Sequence, residues 1–209
     1  MLTVVIKDNG ELNVTKLTYQ NLWRELKDIP DSQLVISDSW LDHLPKVSTT
    51  YVCFVEADCL VNSGYFTSQV NLFKKNSMFR KLAMLSSSTA VNYWHNKFYG
   101  YCVNDFGDVS PIKNFKSKSP YPVQIGYVPG AIIRMSMLNK VKFKTKNIED
   151  DLVYFSTEMS LEFWRQGDGN RTHINPNTTY VTTEGYVNDI SSIDVDIDDL
   201  RDLFKKESI

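Results

Sequence analysis

The chain has 209 residues, of which 42% are hydrophobic, and a formal net charge of -2. That length and apolar content support one core and fall short of two ordinary domains. No run of 18 apolar residues reads as a membrane span, and the first residues, Leu2-Thr3-Val4-Val5-Ile6, are strand-like and lack the basic and apolar regions of a secretory leader.

Three cysteines, Cys53, Cys59 and Cys102, match neither a disulfide framework nor a CxxC metal motif, so reduced thiols and a cytoplasmic setting (host cytoplasm, if the chain is viral) are expected. The net charge conceals a segregation. Between Cys59 and Ile148 stand 13 Lys and Arg against only Asp105 and Asp108, a segment of +11 whose flanks carry -13. Such a segment is either a solvated surface or an attractor of polyanions.

In chain order, the strand at 2–6 is followed by the polar turn Lys7-Asp8-Asn9-Gly10-Glu11. Tyr19, Leu22, Trp23 and Leu26, at i, i+3, i+4 and i+7, then predict an amphipathic helix over 15–28, stopped by Pro30. Gln33–Ser37 and Tyr51–Val55 read as continuous apolar strands of the kind buried on both faces of a parallel sheet. A helix over 63–75 and an apolar run at 82–85 continue the alternation. From Ser86 to Tyr127 the pattern weakens into Ser, Asn, Lys and aromatic residues with three prolines, which predicts loops or short strands. A strand at 131–135 follows, then a helix over 150–166 with Leu152, Phe155, Met159 and Phe163 on one stripe and Gly167 as its stop. A short strand is expected at 178–183 and an acidic-capped helix at 194–205.

Three groups of acids could carry chemistry. Val52-Cys53-Phe54-Val55 runs into Glu56-Ala57-Asp58. Two carboxylates one residue apart at a strand end point the same way and can converge on a hard cation, at the sheet edge where open α/β sheets bind ligands. A divalent ion there would neutralise a diphosphate leaving group. Glu149-Asp150-Asp151 opens a helix; one acid serves as a cap, and three exceed that need and suit a general base. Asp38 stands just past the second strand, where a turn-forming Asp is the plainer account.

Together these elements resemble the metal-dependent GT-A glycosyltransferases, especially the inverting family 2 type, over roughly residues 2 to 185. The pieces are Val4–Asn9, Ile36-Ser37-Asp38, the Asp-x-Asp-like Glu56-Ala57-Asp58 with Val61–Phe66, Gly130–Arg134, and Glu149-Asp150-Asp151 through Gly167. The resemblance implies an α/β fold, a single GT-A domain with a Rossmann-like, mostly parallel sheet flanked by helices. It divides into a nucleotide-sugar half (1–85), an acceptor half (86–185) and a C-terminal helix (186–209). It further implies a UDP-sugar donor touched by Asp8, Asp38 and Arg134. Asp58 would hold Mn or Mg, Glu56 would lie near the ribose or the metal, and Glu184 or His173 is the candidate for a further ligand. Asp150, or Asp151 in its place, would be the catalytic base, with Glu149 beside it.

The basic segment interleaves lysines with Tyr93, Trp94, Phe98, Tyr99, Tyr101, Phe106, Phe115 and Tyr121, a composition able to hold phosphates and stack on bases. It leads to the expectation of a hydroxymethylated DNA base as acceptor, as in bacteriophage DNA glycosyltransferases. A saccharide or protein acceptor, and a non-catalytic nucleotide- or DNA-binding module, are the alternatives. A sugar nucleotidyltransferase is disfavoured because Lys7–Glu11 is not a glycine-rich phosphate loop. A serine triad lacks its Gly-x-Ser-x-Gly elbow.

Overall fold

The computed structural model describes residues 1–75, 82–91, 96–104, 109–114, 116–143, 148–166 and 172–182. Its centre is a nine-stranded sheet in which seven strands follow the order β2-β1-β3-β10-β5-β11-β4. The strands are β1 (Leu2–Lys7), β2 (Gln33–Ser37), β3 (Tyr51–Glu56), β4 (Leu60–Val61), β5 (Met84–Val91), β10 (Ile132–Arg134) and β11 (Thr172–Thr182). Two short strands, β6 (Asn96–Phe98) and β9 (Tyr121–Pro122), pair with β5 and β11, while β7 (Tyr101–Val103) and β8 (Val109–Pro111) make a separate ribbon. β1 pairs in parallel with β2 and β3, and β11 with β5, whereas β10 runs against both its neighbours.

The continuous apolar runs of β1 and β3 follow from burial on both faces. Leu2, Val4 and Ile6 of β1, with Cys53 and Val55 of β3, face helix α1 (Leu12–Leu26) and helix α3 (Tyr65–Lys75) through Leu22, Leu26, Phe66, Val70 and Phe73. On the other face Val5, Val52 and Phe54 meet Trp40 of the short helix α2 (Trp40–His43) and Phe155, Met159 and Phe163 of helix α5 (Leu152–Arg165). Trp40 forms a three-ring cluster with Phe54 and Phe155, tilted against the first at 5.6 Å and stacked on the second at 6.0 Å, and its indole N–H donates to the Val55 carbonyl. Helix α4 (Met135–Leu138) follows β10 directly. No described helix is long and apolar enough to cross a membrane.

Several expected boundaries shift for physical reasons. The apolar run at 82–85 grows into the eight-residue β5 because its serines are satisfied inside the core: Ser86 donates to the Tyr127 carbonyl, Ser88 to that of Thr178, and Ser87 accepts from the Tyr65 hydroxyl. β11 begins six residues earlier than the expected strand, since Pro176 falls in a register break between Asn175 and Thr179, where a missing N–H does no harm. On α1, Leu22 and Leu26 are buried as the spacing requires, but Trp23 lies outside, stacked on Tyr19. The helix expected at 194–205 lies outside the described residues.

Gly130, at φ +78°, makes the turn into β10 and donates its N–H to the Phe54 carbonyl at 2.7 Å. A Cβ there would sit 2.5 Å from the Tyr180 ring and 2.7 Å from the Tyr65 hydroxyl. Gly130→Ala is therefore expected to lose about 2 kcal/mol or more of stability, from overpacking together with a left-handed backbone. Chemical denaturation measures this, and a wild-type midpoint would contradict the packing described.

Candidate active site

β2, β1 and β3 end side by side, with Ser37 opposite Lys7 and Lys7 opposite Glu56. The residues that follow them form one edge, and the chain from Ile148 to Leu152 at the start of α5 lies against it. Between them is a cavity of about 290 Å³ lined by Lys7, Asp8, Glu56, Asp58, Glu149 and Asp150, with Asn9, Trp40, Ala57 and Leu152. A second cavity of about 510 Å³, lined by Asp38, Ser39, Leu41 and Asp42, shares Lys7, Glu149 and Asp150 with the first. Six of the ten residues named as site candidates from sequence thus meet across two adjoining cavities: Asp8, Asp38, Glu56, Asp58, Glu149 and Asp150.

Glu56 is the last residue of β3, whereas Asp58 belongs to a turn closed by the Cys59 N–H on the Glu56 carbonyl at 3.3 Å. The two carboxylates share the cavity through that turn, which corrects the expectation of strand alternation. Glu56 is 7% exposed, and Tyr180 of β11 holds it at both ends. The phenol donates to Oε2 at 3.1 Å and accepts the Glu56 N–H at 3.1 Å. Burial above all, then nearby Cys59 and Glu56, pushes the Tyr180 hydroxyl well above its ordinary value, so it remains a neutral donor.

The three consecutive acids divide their work. Asp151 caps α5, accepting the N–H groups of Val153 and Tyr154 at 3.1 and 3.0 Å through Oδ1, and it lines neither cavity. Glu149, 6% exposed, accepts the Leu41 N–H at 3.0 Å and lies 3.7 Å from the Lys7 ammonium. Asp150 is 68% exposed at its side chain and pairs with Lys7 at 3.0 Å. Asp8 accepts the Gly10 N–H and the Thr15 hydroxyl, each at 3.1 Å, and so shapes the turn after β1.

Two candidates fall elsewhere. Arg134 pairs across from Tyr51, at the opposite end of β3 from Glu56. Its guanidinium lies over the Tyr51 and Phe73 rings and donates to the Leu82 carbonyl, because the antiparallel β10 carries it away from the cavity. His173 stands near the start of β11, level with Leu85 of β5, which in turn lies beside Ile132 and Cys53. Three residues along the strand, about 10 Å, separate that level from Glu56. The residue of β11 that reaches Glu56 is Tyr180. Glu184 lies outside the described residues.

Among the described residues no three or more His, Cys, Asp or Glu side chains cluster for a metal ion. Glu56 and Asp58 nevertheless fit a Mg or Mn ion, since such a cation binds through one or two carboxylates and completes its shell with water and substrate phosphates. Sequence reasoning missed Lys7, Trp40 and Tyr180. A cation at the end of an apolar strand was a usable signal for Lys7; nothing local distinguishes Tyr180 from a core tyrosine.

No protein-family model and no curated protein sequence matches the chain. Solved structures do. The crystal structure of GalNAc-T7 with UDP, GalNAc and Mn2+ superposes with a TM-score of 0.64 at 9% identity, covering 88% of this chain and 43% of that one. TarS from S. aureus matches with a TM-score of 0.57 at 12% identity, covering 87% of this chain and 60% of TarS. TarS in complex with UDP-GlcNAc gives 0.51 at 11% identity over 98% of this chain and 64% of that one. The fold is GT-A. The chain spans 43% to 64% of the length of these structures, and at such identities it is the fold that is shared.

Tyr180→Phe removes one hydrogen bond to a buried carboxylate and the acceptor of a buried N–H, with an expected loss of about 1.5–3 kcal/mol. Denaturant unfolding tests this; an unchanged free energy would show that Tyr180 does not hold Glu56.

Proposed function

We propose that this GT-A chain is an inverting glycosyltransferase that moves a sugar from a UDP-sugar to an acceptor hydroxyl. The observation that carries the reading is the meeting, in one cavity at the ends of β1 and β3, of a carboxylate pair (Glu56, Asp58) with a second acid centre (Glu149, Asp150). The ligands in the neighbours' crystal structures, UDP with Mn2+ in GalNAc-T7 and UDP-GlcNAc in TarS, support the donor class.

In this reading Asp58 and Glu56 hold a Mg or Mn ion that, when bound, stabilises the charge of the departing diphosphate. Tyr180 keeps the Glu56 carboxylate in place. Asp38, beyond β2, and the turn shaped by Asp8 receive the nucleoside. Asp150 takes the proton of the acceptor hydroxyl as its oxygen forms a bond to the anomeric carbon. The bond from that carbon to the diphosphate breaks, and its electron pair leaves with UDP. Asp151 holds the start of α5, which carries Asp150 on the preceding turn.

The acceptor has two competing readings. A hydroxymethylated base in DNA is the one the basic 59–148 segment favours, with Lys113, Lys116, Lys118, Lys140 and Lys142 exposed on it. Its aromatic support is weaker than the sequence alone indicates. Phe98 and Tyr101 are core residues packed on Tyr127, while Tyr93, Trp94, Phe106 and Phe115 lie outside the described residues. A neutral saccharide or protein hydroxyl is the reading the cavities favour. Asp38, Asp42, Glu149 and Asp150 line the larger one, and among the described residues Lys7 is its only cation and no lysine of the basic segment lines either cavity.

The test is UDP release from a panel of UDP-sugars with Mn or Mg, alone and with hydroxymethylcytosine-containing duplex, unmodified duplex, or glycan and peptide acceptors. Asp58→Ala is expected to abolish metal-dependent turnover. Asp150→Asn is expected to bind UDP normally while transfer falls roughly 10²- to 10⁴-fold, the contribution of a general base. Equal activity in both variants would contradict catalysis at this site and favour a nucleotide- or DNA-binding module.

A further inference from the structure

Lys7 is the one cation lining either cavity among the described residues, and its contacts lie on the side of α5. Its ammonium donates to Asp150 Oδ1 at 3.0 Å and to the Glu149 carbonyl at 3.3 Å, stands 3.7 Å from Glu149 Oε1, and lies 5.7 Å from the centre of the Trp40 ring. Two of these groups are themselves immobilised. Glu149 Oε2 accepts the Leu41 N–H at 3.0 Å, and the Trp40 indole is bonded to the Val55 carbonyl at 3.1 Å within an aromatic stack. Lys7 itself is the last residue of β1, its backbone held by β2 and β3. An ammonium whose stem, underside and one flank are held in this way has a single mobile partner, Asp150.

We propose that Lys7 is the positioning residue of Asp150, holding one carboxylate oxygen so that the other faces the acceptor hydroxyl. This rests on the reading of Asp150 as the base. Asp150 sits on a one-turn 3-10 segment and is 68% exposed at its side chain, and among the described residues Lys7 is the only side chain that its carboxylate pairs with. Without that partner the side chain would be free to rotate into solvent, and it would face Glu149, Asp38 and Asp42 across the shared cavity as uncompensated like charges. The bond to Oδ1 leaves Oδ2 as the atom that takes the proton. Misplacing a reacting group by about an ångström can cost roughly 10²-fold in rate.

The experiment is steady-state transfer kinetics with UDP binding by calorimetry on Lys7→Met, Lys7→Arg, Asp150→Asn and the double variant Lys7→Met/Asp150→Asn. The inference expects Lys7→Met to lower kcat roughly 10- to 100-fold with UDP affinity unchanged. Lys7→Arg should recover most of that loss, and the double variant should be no slower than Asp150→Asn, because both substitutions disable one unit. Retained UDP binding shows that the site is folded. Full kcat in Lys7→Met beside an inactive Asp150→Asn would overturn this inference alone. A loss confined to UDP affinity would also overturn it, making Lys7 a diphosphate ligand. Full transfer by Asp150→Asn would overturn the assignment of the base, and this inference with it.

Discussion

Three parallel strands stop at one level: Ser37 of β2 lies opposite Lys7 of β1, and Lys7 opposite Glu56 of β3. Register in a parallel sheet is set by which side chains face which layer, and here both layers are apolar, so a slip by one residue would turn Val5 and Phe54 away from Trp40 and α5. The same constraint that builds the core therefore delivers Asp38, Asp8 and Asp58 to one edge. The return strand β10, running the other way between β3 and β5, brings Gly130 against Tyr180 and allows β11 to reach Glu56 from across the sheet.

The edge so formed is acidic, and the structure compensates each buried acid locally. Glu56 has the Tyr180 hydroxyl and Glu149 has the Leu41 N–H and the Lys7 ammonium, while the exposed Asp151 caps two helix N–H groups. Burying a carboxylate is tolerable only with such partners. What distinguishes Asp150 is that it is exposed, with one ion pair, and itself lines a cavity already lined by other acids. Asp58 likewise stands partly exposed at the mouth of the same cavity. In the proposed function these two acids meet ligands.

Much of this was legible in the residues. The apolar runs of β1, β2 and β3, the amphipathic spacing of α1 and the stripe on α5 all follow from periodicity, because a strand buried on two faces and a helix packed on one leave distinct patterns. Glu56, Asp58 and the Glu149–Asp151 run were visible as acids at element ends. What periodicity cannot show is direction and distance. Arg134 ends an apolar strand as Glu56 does, yet its strand is antiparallel and carries it to the far end of the sheet. Ser86–Thr89 reads as loop or short strand because hydroxyls are polar, and it belongs to an eight-residue strand because the core supplies its serines with hydrogen-bond partners. Asp151 and Asp150 are adjacent identical residues whose roles separate only once the helix start is located. Tyr180 and Lys7 act through partners more than a hundred residues away, which no local window contains.

The central claim is that a nucleoside diphosphate binds across the ends of β1 and β3 against the start of α5. The most direct measurement is a UDP titration followed by backbone amide chemical shifts, in the presence of Mg. The account predicts that the largest changes fall on Lys7–Gly10, Ser37–Ser39, Glu56–Asp58 and Ile148–Leu152, with Arg134 and His173 unaffected. Changes centred on Arg134 or His173, or no saturable change anywhere, would contradict it.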